Sequence, residues 1–218
     1  MNKSLPSIGI IGAGHIGAAF ARALARCSLP AILSNSRGPE SLQALAQTIG
    51  TSIRAGTREE AAAQAIVLVA VNWSKLPSAL AGLPDFEGRI VIDANNPIEA
   101  PLFKPIDLHG RTSSQSFADL VPGARVVKAF NHLRPQLLFA DPTARGGRRV
   151  LFFAGDDAHA KAQVSALIDQ LGFAGIDLGT LAVGGRMTQF PGGPLPSLEL
   201  VQFDDNRTPL HNRGSMHV

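Results

Sequence analysis

The run Gly12-Ala13-Gly14-His15-Ile16-Gly17 follows the β-branched stretch Ile8–Ile11 and opens a segment whose apolar residues, Ile16, Ala19, Phe20, Ala23 and Leu24, recur at helical spacing. Strand, tight turn and helix is the arrangement that uses all of these features together. In such a unit the first glycine makes the turn, the second lets a pyrophosphate approach the backbone, and the third lets the helix pack on the strand. Free N–H groups at the helix N-terminus then offer an anion site. His15 falls beside that site, where an exposed side chain is a simpler reading than a chemical one. The bland alternative for the whole motif is a glycine-rich bend with no ligand.

The same alternation runs down the chain. Residues 31–34 read as a second strand, and Gly38-Pro39-Glu40 then places Pro at the first position of a helix that runs to about residue 48. Residues 51–55 form a weak third strand, and Thr57 caps the helix after it. Residues 66–71 are the clearest buried strand, and 89–94 and 125–130 repeat the type; each is followed by polar or turn residues, Asn72-Trp73-Ser74, Asn95-Asn96-Pro97 and Asn131-His132. A strand at 150–154, a helix at 157–171 and a strand at 173–178 predict one more βαβ unit in the same sheet. From Gly179 the pattern dissolves into Gly- and Pro-rich sequence, Gly184-Gly185-Arg186 and Pro191-Gly192-Gly193-Pro194. The expected fold is α/β, a doubly wound and mostly parallel sheet with a short C-terminal extension. A charged content of 17% against 45% apolar residues suits a sheet covered on both faces.

The end of the second strand distinguishes between dinucleotides. An NAD site wants an acidic residue roughly 20 positions past the glycines, for the ribose 2′-hydroxyl. Here the chain reads Ser34-Asn35-Ser36-Arg37 and holds no acid. A guanidinium with neighbouring hydroxyl and amide groups suits a 2′-phosphate, and the helix starting at Pro39 adds positive dipole. NADP is therefore expected over NAD, with Ser36 as a helix cap and Arg37 as a solvated charge the competing reading.

Several function classes drop out. The net charge of +3 comes from dispersed Lys and Arg apart from Arg145, Arg148 and Arg149, a poor basis for nucleic-acid binding. The single cysteine, Cys27, excludes an internal disulfide, and the histidines at 15, 109, 132, 159, 211 and 217 lack zinc-type spacing, so no metal site is expected. The longest apolar stretch in the 66–71 region covers only 65–71, and the first residues lead into the glycine motif rather than a signal-peptide core; a cytoplasmic protein without membrane contact is the expectation. There is no tyrosine, which excludes the Tyr–Lys mechanism of short-chain dehydrogenases. With the sheet pattern persisting to about residue 178, no helical second domain fits in the remainder. Lys75, Lys128 and His132 are candidate acids, each with an easy structural reading, and no catalytic residue is assigned. A cofactor domain with so little beside it suits a ring acceptor that takes hydride directly from nicotinamide.

Over nearly its whole length the chain resembles the F420-dependent NADP oxidoreductase family. The resemblance is carried by the glycine motif, by Ser34-Asn35-Ser36-Arg37-Gly38-Pro39-Glu40-Ser41-Leu42, Val71-Asn72-Trp73, Asp93-Ala94-Asn95-Asn96-Pro97, Lys128-Ala129-Phe130-Asn131 and Asp177-Leu178-Gly179. It is also similar to the NADPH-using reductase domain of the STEAP metalloreductases. The resemblance implies a Rossmann-type sheet of about eight strands over residues 1–178, with 179–218 lining a second-substrate pocket or a dimer contact. It implies NADPH as hydride donor, coenzyme F420 or a flavin as co-substrate, and a homodimer. By the same resemblance Gly12, Ala13, Gly14, His15, Ile16, Gly17, Asn35, Ser36 and Arg37 hold the nucleotide phosphates and ribose. Val71, Asn72 and Trp73 lie beside the ribose and nicotinamide, Asn131 and Leu133 line the ring-stacking site, and Arg186 matches the deazaflavin region.

Asn131 stands where an archaeal member has His, and 184–194 departs from the archaeal pattern, which leaves the acceptor open. Gly184 and Gly185 with Arg186 read equally as a closure over a flat ring with an anion contact or as an ordinary loop with a surface or dimer charge. Trp73 and Phe190 stack on a ring or belong to the core. Asn72, Asn96 and Asn131, at three strand ends, are expected to border the nicotinamide. The rival functions are reduction of a small carbonyl or imine with Lys128 or His132 as acid, and NADP sensing without catalysis.

Overall fold

The computed structural model describes residues 6–99 and 104–203; the histidines at 211 and 217 and residues 204–218 of the extension lie outside them. The glycine unit forms as expected, β1 at Ile8–Ile11 and α1 at His15–Arg26. Then come β2 (Ala31–Ser34), α2 (Gln43–Ile49), β3 (Ile53–Ala55), α3 (Arg58–Ala62), β4 (Ile66–Val69) and α4 (Leu76–Leu80). Next are β5 (Ile90–Asp93), a hairpin of β6 (Ile98–Glu99) and β7 (Lys104–Pro105), α5 (Ser113–Ala118), β8 (Arg125–Ala129) and α6 (Pro135–Phe139). The chain continues through β9 (Arg148–Gly155), α7 (Ala158–Gln170), β10 (Ala174–Asp177), α8 (Gly184–Thr188) and β11 (Val201–Gln202).

The main sheet runs β10-β9-β8-β5-β4-β1-β2-β3, with β11 added to β9. From β3 to β8 every pairing is parallel. The strand order reverses between β1 and β4, the crevice where open α/β sheets take their ligands. Side chains alternate between two cores. Ile8 and Ile10 of β1, Ile66 and Leu68 of β4 and Ile90 and Ile92 of β5 face one layer with Phe20 and Leu24 of α1. Val67 and Val69 of β4 and Val91 of β5 face the other, with Leu76, Leu80 and Phe117. Burial on both faces explains why β4 is apolar at every position.

Three expectations are corrected. The 150–154 strand extends over Arg148–Gly155 and pairs with β10 in parallel, yet it is antiparallel to β8. The β8-to-β9 connection contains α6, and the chain then returns beside β8 in the opposite direction. The single helix expected from Pro39 divides into a 3₁₀ turn, Pro39–Leu42, and α2. The extension is not all loop, since α8 and β11 lie in it. Among the described residues no helix is long and apolar enough to cross a membrane, and no group of three metal-ligating side chains is assembled.

Candidate active site

The register of the sheet brings the distant motifs together. Ser34, Ile11, Val69, Asp93 and Lys128 pair in succession across five strands and form one row. The segments leaving that row are therefore neighbours: 35–37, 12–17, 70–73, 94–96 and 129–131.

In the glycine turn the three glycines meet different constraints. Gly12 has φ +108°, and a Cβ there would lie 2.2 Å from the Ala70 carbonyl oxygen. At Gly17 a Cβ would lie 1.8 Å from the Gly12 carbonyl oxygen, so the helix could not close on the strand. Gly14 is the N-cap of α1 and its Cβ position meets no protein atom within 4 Å. The space above Gly14 and the unbonded N–H groups of the first helical turn form a cradle that a pyrophosphate fits. Ala13 and Ile16 are half-buried, packed against the α1 core, whereas His15 is exposed.

After β2, Asn35 organises the next bend rather than pointing freely outward. Its Oδ1 accepts the Arg37 N–H at 2.8 Å, its Nδ2 donates to Ser41 Oγ at 3.0 Å, and Ser41 Oγ donates to the Gly38 carbonyl at 2.8 Å. Ser36 and Arg37 are exposed on this fixed loop, and among the described residues the Arg37 guanidinium has no ion-pair partner. Ser36 caps no helix, because the 3₁₀ turn begins after Gly38 without a side-chain cap.

On β4, the loop begins with Val71, whose N–H donates to Asn95 Oδ1 at 2.9 Å. Asn72 is exposed and Trp73 half-buried at the start of a 3₁₀ turn. That turn is latched by Glu99, whose carboxylate accepts the Ser74 N–H and Oγ–H, both at 2.8 Å. Glu99 carries no motif and is found only through the β6–β7 hairpin that places it there. Lys75 follows and is exposed.

Asn96 and Asn131 are staples. Asn96 Nδ2 donates to the Asn131 carbonyl at 2.9 Å, and Asn131 Nδ2 donates to Asn96 Oδ1 at 3.0 Å and to the Thr188 carbonyl at 2.7 Å. Asn96 Oδ1 also accepts the Phe190 N–H at 3.0 Å. These bonds tie the C-terminal extension to the carboxyl ends of β5 and β8 and leave Asn131 Oδ1 buried without a partner among the described residues. Phe190 remains 39% exposed at this junction. Leu133, expected at the ring-stacking site, is buried in the main core instead, and Arg186 on α8 is exposed and donates to the Gly110 carbonyl at 3.2 Å. Residue 133 is turned inward where the chain leaves β8 toward α6.

The two inner candidates for a proton donor are sealed. His132 Nε2 accepts the Phe152 N–H at 3.0 Å, its Nδ1 has no partner among the described residues, and burial holds the imidazole pKa down at about 4. Lys128, the penultimate residue of β8, points into the protein: its ammonium pairs with Asp93 Oδ2 at 3.0 Å, and neither side chain is exposed. Burial draws the Lys128 pKa down, against the pull of the Asp93 carboxylate.

A pH effect on stability follows from His132. The unfolded chain takes up a proton below about pH 6.5 that the folded protein refuses until about pH 4, so stability is full above this window and declines through it as the pH falls. The loss across the window is on the order of 3 kcal/mol. Urea unfolding at about pH 7.5 and about pH 5 should show it, and His132→Gln should flatten the difference.

Comparison with known proteins agrees with this geometry. The family described as NADP oxidoreductase, coenzyme F420-dependent, matches residues 7–97, which include the glycine turn, the Arg37 loop and the ends of β4 and β5. The crystal structure of the hypothetical protein SMa0349 from Sinorhizobium meliloti superposes with a TM-score of 0.86 at 44% identity, covering 92% of this chain and 98% of that one. Residues 7–97 belong to the F420-dependent NADP oxidoreductase family. That family is one of NADP-dependent oxidoreductases, and the sheet of this chain is Rossmann-like. A chain from Arthrobacter sp. FB24, proposed to be an F420-dependent NADP-reductase, gives a TM-score of 0.62 at 25% identity, covering 81% of this chain and 86% of that one. The rat metalloreductase STEAP3 is 30% identical over 89% of this chain, which spans 38% of that protein's length.

Proposed function

We propose that this oxidoreductase passes hydride between NADP(H) and a flat ring acceptor of the deazaflavin or flavin class, with coenzyme F420 the leading candidate. The observation that carries this reading is that no candidate acid is held ready: Lys128 and His132 are buried and already engaged in internal bonds, and the Lys75 ammonium is exposed with no bond among the described residues to position it. Reduction of a carbonyl or imine calls for a positioned proton donor. A ring acceptor takes hydride directly and draws its proton from solvent, so alignment of two rings supplies most of the catalysis.

Bound NADP(H) supplies hydride at nicotinamide C4. In this reading the chain does the rest by holding and excluding. The turn Gly12 to Gly17 cradles the pyrophosphate, Ser36 and Arg37 take the 2′-phosphate, and the Val71-Asn72-Trp73 loop borders the ribose and nicotinamide. Residues 1–178 act as the cofactor domain, and the segment after 179, stapled through Thr188 and Phe190, walls the second-substrate side. The STEAP3 likeness brings ferric chelates into the test, since that relative is a metalloreductase.

Stopped-flow absorbance of NADPH against F420, FMN, FAD, quinones, ferric chelates, small carbonyls and imines decides the matter. Rapid oxidation by F420 or a flavin is expected. Turnover confined to carbonyls or imines would replace this reading with that one, and tight NADPH binding with no turnover would make the protein a sensor.

A further inference from the structure

The buried ion pair between β5 and β8 does more than fill space. Asp93 and Lys128 share a row in the sheet and point to the layer where α5 begins, so their side chains meet Ser113 and Ser114 of its first turn. Asp93 Oδ2 accepts from Lys128 Nζ and Ser114 Oγ, each at 3.0 Å. The ammonium also donates to Ser113 Oγ at 3.4 Å and to the Asn95 carbonyl, so all three of its N–H groups are used. Asp93 Oδ1 accepts the Asn95 N–H at 3.0 Å and Asn95 Nδ2–H at 2.9 Å. Three of the four polar atoms of Asn95 are thus held by the pair. The fourth, Oδ1, holds the Val71 N–H at the root of the loop assigned to the cofactor.

An apolar pair could serve the core as well, because desolvation offsets most of what a buried ion pair gains. What apolar side chains lack is direction. We propose that Lys128 and Asp93 are positioning residues that act through Asn95 to fix the Val71-Asn72-Trp73 loop for NADP(H). This rests on NADP(H) binding by the family site, and the wild-type titration described below tests that separately.

The experiment compares Lys128→Met with the charge-balanced double variant Lys128→Met/Asp93→Asn, reading urea stability and NADPH affinity by fluorescence titration of folded protein. Lys128→Met leaves a buried carboxylate without its cation and should lose both stability and affinity. The double variant removes the stranded charge and keeps an acceptor for Asn95, but does not restore the bond to its carbonyl. Its stability should recover while its NADPH Kd stays about 10-fold weak. A Kd that returns to the wild-type value together with stability would reduce the pair to a structural element and overturn the proposal. Hydrogen exchange of the Val71 amide in the nucleotide-free wild-type protein reads the link with no substitution. Protection is expected, and exchange at the rate of an open loop would overturn the proposal whatever the variants do. Wild-type protein that fails to bind NADPH would strike the cofactor assignment, with Val71 exchange still judging the positioning.

Discussion

Gly14→Val should weaken NADPH binding by on the order of 100-fold or more while leaving the protein folded, because the loss of several charge-assisted bonds to the pyrophosphate compounds. The reason is local. An added Cβ meets no protein atom within 4 Å, and the backbone there is extended, φ −75° and ψ −166°, which valine accepts. The space it fills is the space a pyrophosphate needs. Gly17→Ala is the contrast: its Cβ would sit 1.8 Å from the Gly12 carbonyl oxygen, so α1 must part from β1 and stability falls first. Isothermal titration with NADPH beside circular-dichroism melts separates the two. A folded Gly14→Val protein with wild-type affinity would remove the turn from the binding site.

Arg37→Ala should cost NADPH binding about 1.5–3 kcal/mol, roughly 10- to 150-fold, and leave NADH binding nearly unchanged. Arg37 is exposed and, among the described residues, pairs with no acid, so its removal should move stability by no more than about 0.5 kcal/mol. The loop that presents it is held by Asn35 and Ser41 and survives the substitution. Parallel titrations with NADPH and NADH check this. Equal losses for both nucleotides would show that the arginine does not read the 2′-phosphate.

Much of the fold was legible before any coordinates. Segments 8–26, 31–34 and 66–71 combine strong periodicity with glycine, proline and capping signals, and each element sits within two residues of its expected place. Boundaries shifted by two residues at β3 and β4 alike, and the βαβ unit of β9, α7 and β10 forms as expected, but nothing in a run of apolar residues tells that β9 runs antiparallel to β8. The candidate site was legible to the extent that motifs reside at strand ends. Lys128, Leu133 and His132 were not, since an ionisable or apolar residue just past a strand reads the same whether it faces a crevice or the interior.

Local chemistry along the chain determined the elements, the glycine turn, the acid-free bend after β2 and with them the preference for a phosphorylated dinucleotide. Pairing over long separations decided the rest: that Asp93 meets Lys128 across two strands, that Asn95 reaches Val71, that Thr188 and Phe190 return to Asn131 and Asn96. Side-chain periodicity tells which face a residue takes, but register alone tells which residue stands beside it, and a one-residue slip would have turned that ion pair toward the opposite layer.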